Sequence, residues 1–81
     1  MFTVKLYQGT HLKIVQTKMV DVYKASAKNG ELFELVTDEG SFFITAPETK
    51  RVDNTVDFWD CAYVENERGA TTQRITPDMD L

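Results

Sequence analysis

From Phe2 to Tyr7 apolar and polar residues alternate with period two, Phe2, Val4 and Leu6 on one side and Thr3, Lys5 and Tyr7 on the other. This is the pattern of a strand with one face in a core. Gln8-Gly9-Thr10-His11 interrupts it around a glycine and Leu12-Lys13-Ile14-Val15-Gln16-Thr17 resumes a β-rich pattern, so the two segments predict an N-terminal hairpin.

The next segment supports two periods. Met19-Val20-Asp21-Val22-Tyr23 alternates at Val20 and Val22, and the residues after it lead to Asn29-Gly30, a tight-turn signal. The alternative is a helix over 18–28, stopped by Gly30, with Lys24 and Lys28 near its C-terminal end. Val20, Asp21, Val22 and Tyr23 are all mediocre helix formers, which favours the strand.

Leu32-Phe33-Glu34-Leu35-Val36 is short and runs into Thr37-Asp38-Glu39-Gly40, where a helix would end with two acids at the negative end of its dipole. A strand is expected there, with Ser41-Phe42-Phe43-Ile44-Thr45 pairing back on it. Pro47 cannot donate a ladder hydrogen bond, so Ala46 to Arg51 breaks the sheet, with a single helical turn from Pro47 and a loop over Val52 to Thr55. Val56 to Val64 reads as one central strand, with Trp59, Cys61 and Tyr63 on one face and Trp59 largely buried. Asn66-Glu67-Arg68-Gly69 has the residues of a type I turn, and Ala70 to Ile75 is the return strand.

These elements predict an all-β fold: a small antiparallel meander of six or seven short strands curling into a barrel or half-barrel, or α+β if residues 18–28 are helical. Residues 1–77 are expected to form one domain and 78–81 a frayed acidic tail.

Composition adds a charge asymmetry. The 81 residues carry a net charge of −4. Residues 1–30 hold five lysines against Asp21, giving +4, whereas 31–67 hold ten acids against Lys50 and Arg51, giving −8. Lys5, Gln8, His11 and Lys13 interrupt the first 15 residues, so they contain neither the apolar stretch of a signal peptide nor a membrane span. Cys61 is the single cysteine and cannot form an intramolecular disulfide, which fits a reducing, cytoplasmic setting.

Candidate chemistry is sparse. His11 is the single histidine and has no nearby cysteine with which to build a zinc site. Cys61 lies in an acidic stretch that would oppose a thiolate. No phosphate loop, nucleophile motif or ligand cluster singles out one pair among the thirteen carboxylates. Neither an enzyme, a metal nor a cofactor is expected.

The leading expectation is therefore a non-enzymatic protein-binding module of an accessory or inhibitory kind. An acidic face containing Asp38, Glu39, Asp57, Asp60, Glu65 and Glu67 would meet a basic protein partner. Lys5, Tyr7 and Lys13 would instead serve a small barrel that binds single-stranded nucleic acid, a reading that the acidic balance disfavours. A third reading is a structural protein that assembles with its own copies, and a homodimer is expected from the small core and opposed charges. In size and acidity the chain resembles in style the accessory proteins of phages and other mobile elements, some of which occlude host nucleic-acid-binding proteins. That resemblance carries over no residues.

Overall fold

The computed structural model describes residues 1–27, 30–45 and 58–78. They form eight strands and no helix: β1 (Phe2–Gln8), β2 (His11–Thr17), β3 (Val20–Ala27), β4 (Gly30–Thr37), β5 (Gly40–Thr45), β6 (Phe58–Trp59), β7 (Cys61–Glu65) and β8 (Thr71–Ile75). The all-β class follows the alternation, and the helix over 18–28 is not realised. In β3, Val20 and Val22 turn partly into the core as their period-two spacing requires.

The strands make two four-stranded sheets rather than a closed barrel, in the orders β2-β1-β7-β8 and β3-β4-β5-β6. β3, β4 and β5 are the expected local meander. The first sheet is not: β1 pairs with β2 on one side and with the distant β7 on the other, Thr3 opposite Glu65 and Tyr7 opposite Cys61. The ladder is not wholly antiparallel either, because β6 runs parallel to β5, with Phe43 opposite Phe58 and Ile44 opposite Trp59.

Turn chemistry fixes the hairpins. Gly9 carries a positive φ of 59° between β1 and β2, where Gln8 stands opposite His11. After β7 the Asn66 carbonyl accepts from Gly69 N at 3.0 Å. The Asn66 side-chain Oδ1 accepts from the backbone N–H groups of Arg68 and Ala70 at 2.9 and 3.0 Å. This is the expected turn, and a register irregularity between Val64 and Glu65 accompanies it.

The expected central strand over 56–64 is in fact two strands. At Asp60 the chain leaves the second sheet for the first, and its backbone N–H donates to the Tyr7 carbonyl at 2.7 Å. This bend resets the alternation. Trp59 and Ala62 both point into the core while Cys61 and Tyr63 point away, so Trp59 does not share a face with the other two. The expected helical turn at Pro47, the loop over Val52 to Thr55, the turn at Asn29 and most of the tail lie outside the described residues.

The core lies between the sheets. Val4, Leu6, Val15, Ala62, Val64 and Ile75 from the first meet Phe33, Leu35, Phe42, Ile44 and Trp59 from the second. Trp59 is 3% exposed, as a thin core needs of its largest side chain. Among the described residues its indole Nε1 has no hydrogen-bond partner.

Candidate interaction surface on the first sheet

Residues directly opposite on paired strands point to the same side of a sheet. With Val4 and Leu6 buried, the register places Thr3, Lys5 and Tyr7 of β1 on the outer side of the first sheet. One cross-strand row there is Leu12, Tyr7 and Cys61, and the next is Ile14, Lys5, Tyr63 and Arg74. Leu12 and Ile14 are 43% and 54% exposed on the edge strand β2. Beside them the Tyr7 and Tyr63 rings meet edge to face with centroids 5.7 Å apart.

Lys5 and Tyr7 therefore share a face, but Lys13 does not join them. It stands opposite Leu6 on the inner side of β2, and its ammonium lies 5.2 Å from the centroid of the Phe42 ring. Lys5 forms an ion pair with Glu65 at 2.9 Å, and the hydrogen bond and charge of that carboxylate raise the lysine pKa.

Four of the expected acidic contacts, Asp38, Asp60, Glu65 and Glu67, are engaged within the fold. The Asp38 carboxylate accepts from the Thr17 hydroxyl at 2.6 Å and from Lys18 N at 3.2 Å, and these bonds, the Thr17 hydroxyl first, hold its pKa below the ordinary carboxylate value. Asp60 accepts from Gly9 N at 2.7 Å and so ties the sheet-changing bend to the β1–β2 turn. Glu65 belongs to Lys5, and Glu67 sits against the Met1 ammonium, whose hydrogen bond and charge lower the glutamate pKa. Glu39 has no hydrogen-bond or ion-pair partner for its carboxylate among the described residues, and Asp57 lies outside them.

Glu39 lines a groove of about 380 Å³ with Lys13, Ile14, Val15, Gln16 and Phe42, between β2 and the β4–β5 turn. His11 lies over the buried indole of Trp59, their ring planes 20° from parallel and centroids 5.8 Å apart. Cys61 is a free, half-buried thiol on the outer side of β7. Among the described residues no group of three or more His, Cys, Asp and Glu could hold a metal ion, and no helix is long and apolar enough to cross a membrane.

Sequence reasoning missed Leu12, Ile14, Tyr63 and Arg74 as surface residues. The signal was that Leu12 and Ile14 alternate with Lys13 and Val15, so that at least one large apolar residue stays outside whichever face is buried. The chain matches no known protein family, no curated protein and no solved structure.

Proposed function

We propose that the chain is a non-enzymatic protein-binding module whose contact surface is the outer face of the first sheet. The observation that carries this reading is the exposure of Leu12 and Ile14 beside the Tyr7–Tyr63 pair on one continuous face. Tyrosine and arginine are enriched in binding hot spots, and the exposed aliphatic side chains beside them add apolar area to bury. The contact surface thus moves from the acidic residues to this face, because Asp38, Asp60, Glu65 and Glu67 already have partners within the fold. The surplus of negative charge retains a role in steering a basic partner from a distance. An accessory or inhibitory protein would act by covering such a partner, and a reducing compartment such as the cytoplasm suits the free thiol of Cys61.

The test is capture of a partner from the native host, followed by its affinity for Leu12→Glu and Tyr63→Ala variants that remain folded. Loss of affinity with these variants, and little change with Asp57→Lys or Glu67→Lys, supports the outer face. The reverse pattern returns the contact to the acidic residues.

Single-stranded nucleic acid is the second reading, favoured by Lys5 and Tyr7 sharing their face with Tyr63 and Arg74. It requires a labelled oligonucleotide to shift at low salt and the shift to vanish with Lys5→Glu or Arg74→Glu. Absence of any shift removes it.

A further inference from the structure

Among the described residues the four sheet edges differ in how they are protected against pairing. β6 is two residues long, and β8 is short, polar and paired through an irregular register. β3 is as regularly paired as β2 and exposes Tyr23, but it carries both an acid and a base, Asp21 and Lys24. β2 keeps an unbroken seven-residue register with β1, has no proline or bulge, and exposes Leu12 and Ile14. Its one cation, Lys13, is drawn inward over Phe42. Long, regular, apolar edges are the ones that accept another strand.

The groove behind β2 indicates which strand fits. We infer that β2 pairs antiparallel with β2 of a second copy of this chain, centred on Ile14, to form a symmetric dimer with a continuous eight-stranded sheet. In this register Ile14 faces its own counterpart, Leu12 faces Gln16, and His11 faces Thr17, so all seven residues are used. Lys13 of each copy then stands opposite Val15 of the other, on the inner side, where Val15 and Glu39 line the same groove. The pairing brings the Glu39 carboxylate, unpartnered among the described residues, within reach of an incoming ammonium. Each copy supplies one such acid and one such base, which is what a two-fold interface demands.

The exposure of Leu12 and Ile14 serves both this inference and the proposed function, but the dimer is tested at Lys13 and Glu39 on the inner side, so its failure is distinguishable from failure of the outer-face reading. Sedimentation equilibrium over about 10 µM to 1 mM measures the dimer. Glu39→Lys and Lys13→Glu each raise the dissociation constant by about tenfold or more, and the double variant, which restores opposite charges, regains the wild-type value. Ile14→Cys in a Cys61→Ser background cross-links under oxidation, because the two positions are directly opposite, and Leu12→Cys does not. A monomer mass at every concentration overturns the inference and leaves the edge to a strand of another protein. A dimer indifferent to both charge variants and lacking the Ile14→Cys cross-link overturns it too, and assigns self-association to a different surface.

Discussion

The Thr17 hydroxyl donates to the Asp38 carboxylate at 2.6 Å and accepts from the backbone N–H groups of Asp38 and Met19 at 3.2 and 3.3 Å. One buried oxygen thus joins the end of β2 in the first sheet to the β4–β5 turn of the second. Thr17→Val keeps the shape and removes the hydroxyl, leaving two N–H groups and a carboxylate without their partner. The expected loss is about 1–3 kcal/mol, read from urea unfolding, and Thr17→Ser restores most of it.

Asp38 makes the same junction sensitive to acid. Its carboxyl pKa is lowered in the folded state, chiefly by the Thr17 hydroxyl and then by the Lys18 N–H. Its contribution is therefore present above the ordinary carboxylate pKa and is lost as pH falls through the folded-state value. Asp38→Asn should be less stable than wild type near neutrality, with the gap closing towards low pH. A gap that stays constant from pH 7 to the acid limit would deny the linkage.

Trp59 anchors the core with its ring and carries a donor that no described group satisfies. Trp59→Ala should cost about 3–5 kcal/mol, enough to unfold much of so small a protein. Trp59→Phe, which removes the unsatisfied N–H along with part of the volume, should cost clearly less. His11→Ala uncovers one side of the indole, and the expected readout is a red shift in tryptophan emission without loss of cooperative melting.

Gly40 follows the Asp38–Glu39 turn with a φ of +122°, and a Cβ there would meet open space. The objection to a side chain is thus backbone conformation alone. Gly40→Ala should destabilise by about 1–3 kcal/mol. Gly9, at φ +59°, lies in the left-handed region that asparagine tolerates, so Gly9→Asn should be much milder. Thermal melts of the two variants compare them directly.

The strands most legible in the sequence were those whose alternation is settled within one segment. Phe2 to Tyr7 declares its buried side by itself, and Asn66 to Gly69 declares its turn by the φ and capping needs of its residues. Val56 to Val64 reads as one strand because alternation continues in the letters while Asp60 bends the backbone, and only the aspartate, a poor strand former, hints at the break. Leu12 and Ile14 could not be assigned to the outside until the register with β1 was known. The engagement of the acidic residues is illegible in the sequence for a related reason: their partners, Thr17 for Asp38, Gly9 for Asp60 and Lys5 for Glu65, lie 21 or more positions away in the chain.

The placement of β1 between β2 and β7 has a temporal side. A chain emerging from the ribosome can close the β1–β2 hairpin and the β3–β4–β5 meander early, since each is local. Thr3, however, waits for Glu65 to be synthesised before its strand gains a second neighbour. The first sheet therefore closes late, after the intervening chain has been made, and folding should follow the slower, millisecond-to-second course of non-local β topologies. Until then the nascent hairpin presents two open edges instead of one, and Val4 and Leu6 have no opposite sheet to cover them. Translation speed and chaperone supply should accordingly affect the yield of this protein more than its final stability suggests.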